Sequence, residues 1–182
     1  MAQSVNHKIL WNFIILTSLL TFNSAVVFKL TNAVCESFNK SSVVVNQCRL
    51  RAVQRNKAVL NIEVNILVPA EYIEVRMQIL RKGNGYKPWL FDVTLDACKF
   101  LRKSFNPAVT MVWALFKDFT NINHTCPLQG YTVLKDFYPR PEKLLNPFPT
   151  GEYLLIATFK FNHQRAISLK FYITYEEDFV SN

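Results

Sequence analysis

The chain has 182 residues, half of them hydrophobic, which is enough for one domain of ordinary size with an apolar core. Its 21 Lys and Arg residues outnumber its 13 Asp and Glu residues and give a net charge of +8. This balance attracts anionic partners such as lipid headgroups, sulfated glycans or acidic proteins, although simple solubility explains it equally well. No nucleic-acid-binding motif accompanies the charge, so we exclude nucleic acid as a partner.

The N-terminus has the pattern of a secretory signal peptide. After a weakly basic start, residues 9–22 form an almost continuous apolar run, and residues 23–25 are small or polar, as cleavage requires. The run is shorter than the ~20 residues that a spanning helix needs, so we expect cleavage after Ala25 rather than a retained anchor. The sequence thus predicts a leader, residues 1–25, and a single secreted, extracellular domain without transmembrane segments, residues 26–182. Removal of the leader leaves a net charge of about +7.

Alternating apolar and polar residues predict β-strands along most of the remaining chain. Five runs place apolar residues at every second position: Leu60, Ile62, Val64, Ile66 and Val68; Ile73, Val75, Met77 and Ile79; Trp89, Phe91, Val93 and Leu95; Leu155, Ala157, Phe159 and Phe161; and Ile167, Leu169, Phe171, Ile173 and Tyr175. Weaker patterns predict strands at Val26–Cys35, Val43–Val53 and Tyr131–Phe137. About eight strands joined by short turns indicate a mainly β fold, an antiparallel β-sandwich.

The four cysteines all follow the leader, and an even number in a secreted chain favours disulfides. Four cysteines allow three connectivities. Residues 39–42 are a turn candidate between two strands, and Cys35 and Cys48 are equidistant from its centre. A symmetric hairpin would place these two opposite each other, close to disulfide reach. We therefore predict the pairs Cys35–Cys48 and Cys98–Cys126.

Between Cys98 and Cys126 the pattern changes from strand to helix. Asn106 and Pro107 are a favourable N-cap and first helical residue. Apolar residues then recur at helical spacing: Ala108, Val112, Leu115, Phe116 and Phe119. We predict one helical insertion, at about residues 97–120, with more apolar circumference than a single contact with a sheet needs. Core packing explains this surplus, and so does a hydrophobic cavity beneath the helix.

The predicted loops carry two further signals. Acceptor motifs for N-glycosylation occur at Asn39 and Asn123, both in predicted turns or loops. Four prolines punctuate residues 138–151 and predict an extended, stiff loop, which is either an edge connection or the rim of a pocket. Residues 162–165 then join the last two strands as a short hairpin.

The sequence gives little support for catalysis, and we predict that the protein is not an enzyme. The only histidines after the leader are His124, inside an acceptor motif, and His163, in the last predicted hairpin. Neither belongs to a nucleophile or zinc motif. Asp92 and Asp96 share a strand face, but a solvated strand end explains them better than an acid pair. The cysteines lack zinc-site spacing and there is no phosphate or calcium loop, so we predict no metal site and no cofactor.

Several motifs in a fixed order resemble a large family of small secreted fruit-fly proteins. They are residues 29–35 (KLTNAVC), 84–92 (NGYKPWLFD), 96–98 (DAC), 123–127 (NHTCP) and 149–153 (PTGEY). The similarity runs over nearly the whole chain after the leader. The family is a distant relative of ML-type lipid-recognition domains, which are immunoglobulin-like sandwiches that hold lipids between two sheets. It includes the chemosensory B-type proteins, which are linked with gustatory detection of cuticular hydrocarbons. The resemblance implies an immunoglobulin-like sandwich and a lipid-binding class, and it implies no particular site residues.

Two functional hypotheses follow. The first is a secreted, non-enzymatic carrier or presenter of a lipid or cuticular hydrocarbon in chemosensation, with a membrane receptor as a further partner. Its ligand would lie between the sheets, under the helix, although the same residues would also make a closed core: Trp89, Phe91, Trp113, Phe116 and Phe159. The alternative is an extracellular protein-interaction module with a filled core and a basic docking surface, whose binding should weaken with ionic strength.

Overall fold

The structure, a computed structural model, describes residues 25–54, 57–140 and 148–178. The predicted leader lies outside this part of the chain, except for Ala25, the first residue of β1. The elements in chain order are β1 (Ala25–Ser37), β2 (Val43–Gln54), β3 (Lys57–Ala70), β4 (Ile73–Gly83), β5 (Gly85–Asp96), α1 (Ala97–Arg102), α2 (Pro107–Phe116), a 3-10 turn (Lys117–Phe119), β6 (Leu128–Phe137), β7 (Gly151–Phe161) and β8 (Gln164–Asp178).

The eight strands form two antiparallel sheets. One has five strands in the order β1-β8-β7-β4-β5, and the other has three in the order β2-β3-β6. The predicted alternation is clearest in β4, where Ile73, Val75 and Met77 are buried and Arg76 is exposed. The mainly β class and the number of strands are therefore confirmed.

The three-stranded sheet packs face to face on one half of the five-stranded sheet. Leu30 of β1 forms a buried cluster with Leu60 and Ile62 of β3, and apolar residues of β8 pack against it. Towards one end of the sheets, Val43 of β2 lies in a second cluster with Ile167 of β8. Leu60 and Val43 are completely buried, so the centre of the core lies between the sheets.

The first disulfide joins the predicted residues, but the predicted hairpin between β1 and β2 is wrong. β1 pairs with β8 and β2 pairs with β3, so residues 38–42 carry the chain from one sheet to the other. Cys35 and Cys48 are bonded, with their Cα atoms 6.0 Å apart. Two chain segments of equal length that leave the same turn bring their ends together in either arrangement, whether they pair edge to edge in one sheet or pack face to face in two sheets. The disulfide therefore links the two sheets.

The predicted single helical insertion is in fact two helices and a 3-10 turn. Asp96, interpreted above as a solvated strand end, caps α1 by accepting the Lys99 N–H at 3.0 Å. Asn106 caps α2 by accepting the Val109 N–H at 3.2 Å, as predicted. A residue that precedes proline disfavours helical backbone, so Pro107 prevents α1 from running through Asn106 into α2. The second disulfide, Cys98–Cys126, encloses both helices, with Cα atoms 5.4 Å apart.

One predicted core residue lies outside the core, at the end of β3. Val68 is exposed, together with its neighbours Leu67 and Pro69. The register between β3 and β6 shifts between Ile66 and Ala70, so the chain bulges there. Pro69 fits such a bulge because it has no N–H to donate to a neighbouring strand. Ala70 is completely buried and takes the inward place.

Asn162 ties the β3–β4 connection to the β7–β8 hairpin. Its Oδ1 accepts hydrogen bonds from the Glu71 and Tyr72 N–H groups, both at 3.1 Å, and its Nδ2 donates to the Pro69 carbonyl at 2.9 Å. Asn162 and His163 have φ values of 49° and 69°, the left-handed pair that a two-residue hairpin turn requires. The predicted last hairpin is confirmed, and it closes one end of the two sheets.

We expect Asn162→Ala to lower the free energy of unfolding by about 2–3 kcal/mol. The substitution removes three solvent-exposed hydrogen bonds and forces alanine into a left-handed conformation. Asn162→Gly is the matched control, because glycine accepts that conformation and loses only the hydrogen bonds, so it should recover about 1 kcal/mol. Urea unfolding measures both values. Equal losses in the two variants would exclude the backbone contribution.

Candidate functional site

The inner face of the five-stranded sheet is covered in two different ways. Strands β2, β3 and β6 cover the β1–β8 half, whereas α1 and α2 cover the β4–β5 half. The second half has its own buried cluster, with residues from β4, β5, β7, α1 and α2: Val75, Met77, Leu95, Phe100, Val109, Val112 and Ala157. Within the described ranges, no backbone hydrogen bond joins α2 to β4 or β5. α2 is therefore held to these strands by side-chain packing.

The structure brings together four of the five predicted lining residues. Phe91 of β5, Trp113 and Phe116 of α2, and Phe159 of β7 all pack against the cluster under the helices. Each of them is only partly buried. Trp113 and Phe116 meet edge to face, with their ring centroids 4.9 Å apart. Trp89 lies nearer the start of β5, in a separate cluster that Phe91 also contacts.

This separate cluster, which we call the aromatic end, lies where residues 148–150 approach the sheet. Tyr153 is its centre, at 1% exposure, and its ring lies 5.1 Å from Trp89 and 5.4 Å from Phe148 between centroids. Phe28 and Tyr175 complete the cluster on the β1–β8 side. Sequence analysis missed Phe148 and Tyr153. Tyr153 is in phase with the predicted alternation of β7 and could have been found by extending it, whereas a loop aromatic such as Phe148 shows no periodicity.

The hydroxyl of Tyr153 is the polar group of the aromatic end. It donates a hydrogen bond to the carbonyl of Pro149, which holds the end of the proline-rich loop on the sheet. Burial raises the pKa of Tyr153, and the nearby Arg81 opposes this rise only in part. The phenol therefore stays neutral at physiological pH and remains a hydrogen-bond donor.

Arg140 joins the start of the same loop to the helical cover. Its Nη2 donates to the Leu115 carbonyl at 3.4 Å and to Asp118 Oδ2 at 2.8 Å. Its guanidinium also lies 4.9 Å from the ring centroid of Phe119. A cation is favourable at the C-terminal end of α2, where the helix dipole is negative. Arg140 and the C-terminal end of α2 are thus fixed to each other.

The histidines and acidic residues considered in the sequence are dispersed. His163 stacks on Tyr72 with ring centroids 4.5 Å apart, and His124 is exposed. Asp92 forms a two-pronged ion pair with Arg76, at 2.8 and 2.6 Å, and the hydrogen bonds from that guanidinium lower the pKa of Asp92. Among the residues that the structure describes, no three His, Cys, Asp or Glu side chains are grouped so as to hold a metal ion.

Both predicted glycosylation acceptors lie in loops. Asn39 is half-buried in the connection between the sheets, where its Oδ1 accepts from the Ser41 N–H at 3.1 Å and the Ser41 hydroxyl at 2.6 Å. Its Nδ2, the atom to which a glycan would be attached, makes no hydrogen bond with another described residue. Asn123 is exposed. Their modification stays a prediction.

These features define a mainly β protein with two antiparallel sheets, two disulfides and a helical cover over half of one sheet. A family model described as "Protein of unknown function (DUF1091)" matches residues 75–155, somewhat less than half of the chain. The match runs from β4 through both helices and β6 into β7, so it includes the whole helical cover. The search of curated proteins found no match. Across the described ranges, none of the helices has the length and apolar character needed to cross a membrane.

Proposed function

We propose that this is a secreted, non-enzymatic protein that binds a hydrophobic ligand between its five-stranded sheet and its helical cover. The observation that carries the proposal is a group of three partly exposed aromatic side chains that pack on the cluster under the helices: Trp113 and Phe116 of α2, and Phe91 of β5. We call this group the aromatic seam. Extracellular location agrees with the two disulfides, since such bonds persist in oxidising compartments.

The contacts that hold α2 on the five-stranded sheet favour a ligand site here over one elsewhere in the core. Separating β3 from its neighbours would break a ladder of backbone hydrogen bonds. Separating α2 from β4 and β5 would break no backbone hydrogen bond within the described ranges and would expose the apolar side chains of the cluster. An apolar ligand could replace those side-chain contacts, at ~25 cal/mol for each Å² of apolar surface that it buries. A hydrocarbon chain needs few polar contacts to bind in this way.

The resemblance to the secreted fruit-fly family supports a finer proposal. It suggests an immunoglobulin-like arrangement of the ML type, a lipid or cuticular hydrocarbon as the ligand, and a role in chemosensation with a membrane receptor as a partner. The match to a family of unknown function names no ligand. The ligand class therefore rests on the resemblance together with the aromatic seam.

Binding of an apolar fluorescent probe to protein expressed in insect cells tests the proposal. We expect the probe to bind, and Trp113→Ser to weaken its affinity roughly tenfold or more, because a large apolar contact is lost. Tyr131→Ser is the matched control, since this aromatic residue is 54% exposed on the three-stranded sheet and should leave the affinity unchanged. Absence of probe binding, together with absence of co-purifying lipid in native mass spectra, would contradict the proposal.

Ionic strength separates this function from the alternative of a basic docking module. Probe affinity in an apolar site should be nearly constant from about 0.05 to 0.5 M salt, a range over which exposed charges become screened. Docking through the excess of Lys and Arg should weaken strongly over the same range.

A further inference from the structure

The connection between α1 and α2 presents an exposed aromatic ring. Arg102, Lys103, Ser104 and Phe105 are four consecutive exposed residues. Phe105 is 56% exposed, more than any other large hydrophobic side chain in the described part of the chain. Its ring meets that of Phe100 edge to face, with centroids 6.1 Å apart. Phe100 belongs to α1 and is buried in the cluster between the helices and the sheet. The solvent-exposed ring of Phe105 thus packs against a buried ring, that of Phe100.

The same connection has an unusual charge. Residues 97–117 contain four Lys and Arg residues and no Asp or Glu. Elsewhere on the surface cations are often neutralised, as in the pairs Arg76–Asp92 and Lys82–Glu152. Arg102 and Lys103, by contrast, form no ion pair with any residue that the structure describes. Lys99 pairs with Asp96 at 3.7 Å, so the uncompensated positive charge next to Phe105 is that of Arg102 and Lys103.

We propose that residues 99–105 are the surface through which the protein docks on an anionic lipid bilayer. The ring of Phe105 would enter the boundary between headgroups and acyl chains, and Lys99, Arg102 and Lys103 would contact the anionic headgroups. A stable protein interface needs a far larger contact area than one ring and its neighbours, whereas a bilayer accepts a single protruding ring with flanking cations. Docking would also bring α2 close to a source of apolar ligand, but it does not require that a ligand be bound.

Co-sedimentation with lipid vesicles tests the docking surface. We expect protein expressed in insect cells to bind vesicles of phosphatidylcholine and phosphatidylserine far better than vesicles of phosphatidylcholine alone, and to be released by salt. Arg102→Ser combined with Lys103→Ser should weaken binding about 25-fold, because each charge removed near the surface weakens it roughly fivefold. Phe105→Ser should weaken it roughly tenfold, because the inserted ring is lost.

Matched controls lie on β2 and β5. Arg49→Ser combined with Lys87→Ser removes the same charge from exposed positions, and Leu90→Ser removes an apolar side chain that is 50% exposed. These controls should bind vesicles like the unmodified protein, as should Trp113→Ser, which tests the ligand site separately. No preference for anionic vesicles, or equal losses in the controls and the α1–α2 variants, would overturn the proposal. Binding of the apolar fluorescent probe, measured without vesicles, tests the proposed ligand site independently of the vesicle experiment.

Discussion

Replacing Tyr153 by alanine should lower the free energy of unfolding by about 3–5 kcal/mol, the cost of removing a large aromatic side chain from a packed core. Tyr153 is almost completely buried, and its ring lies between Trp89 and Phe148 at the aromatic end. The loss can be measured by urea unfolding followed through tryptophan fluorescence. Because Trp89 touches the substituted ring, its emission should also shift towards that of a hydrated indole.

The matched variant Tyr153→Phe keeps the ring and removes only the hydroxyl. It should cost about 1 kcal/mol, since one hydrogen bond to the Pro149 carbonyl is lost. Limited proteolysis should then cut the loop before Pro149 faster than in the unmodified protein. If both variants lost the same free energy, the hydrogen bond rather than the packing of the ring would hold the aromatic end together.

Removal of the Cys98–Cys126 disulfide should have the second largest effect. The bond joins residues that are 28 apart in the sequence, and the entropy of closing such a loop predicts a loss of about 3–4 kcal/mol for Cys98→Ala combined with Cys126→Ala. The loss should be concentrated in the helical cover, because both helices lie within the closed loop. Hydrogen exchange should therefore accelerate most in α1 and α2.

The Cys35–Cys48 disulfide provides the control. Its separation of 13 residues predicts a loss of about 3 kcal/mol, close to that expected for removal of the Cys98–Cys126 disulfide. Its removal should loosen the contact between β1 and β2 and leave exchange in the helices slow, relative to the global stability of each variant. Faster exchange in α2 in both variants would mean that the helical cover opens only when the whole domain unfolds.

Much of the strand content could be predicted because burial of one face leaves its mark on each strand separately. Ile73, Val75, Met77 and Ile79 alternate in the sequence, and all four are buried in β4. Alternation identifies the buried face and says nothing of the neighbouring strand. For this reason β1 and β2 could be recognised as strands, while their placement in different sheets could not.

The errors have local physical causes. Val68 fits the period of β3, but a bulge before Ala70 breaks the register with β6. The helical insertion divides because Pro107 blocks continuation through Asn106, although Asn106 was correctly identified as a cap. For the candidate site, four aromatic residues could be grouped because strand and helix periods placed them on inward faces. Phe148 reaches the aromatic end from a loop, and no sequence period marks that contact.

The pairing of β1 with β8 has a consequence for biosynthesis. The ladder runs from Ala25 opposite Asp178 to Ser37 opposite Ile167, so β8, the partner of β1, is synthesised after every other strand that the structure describes. Until then, neither edge of β1 is paired with another described strand, and an unpaired edge is a site of aggregation. The five-stranded sheet can be completed only after β8 has been synthesised, and contacts so distant in the sequence form slowly. The growing chain should therefore need chaperone protection until β8 has been made, and β1 is the strand that needs it longest.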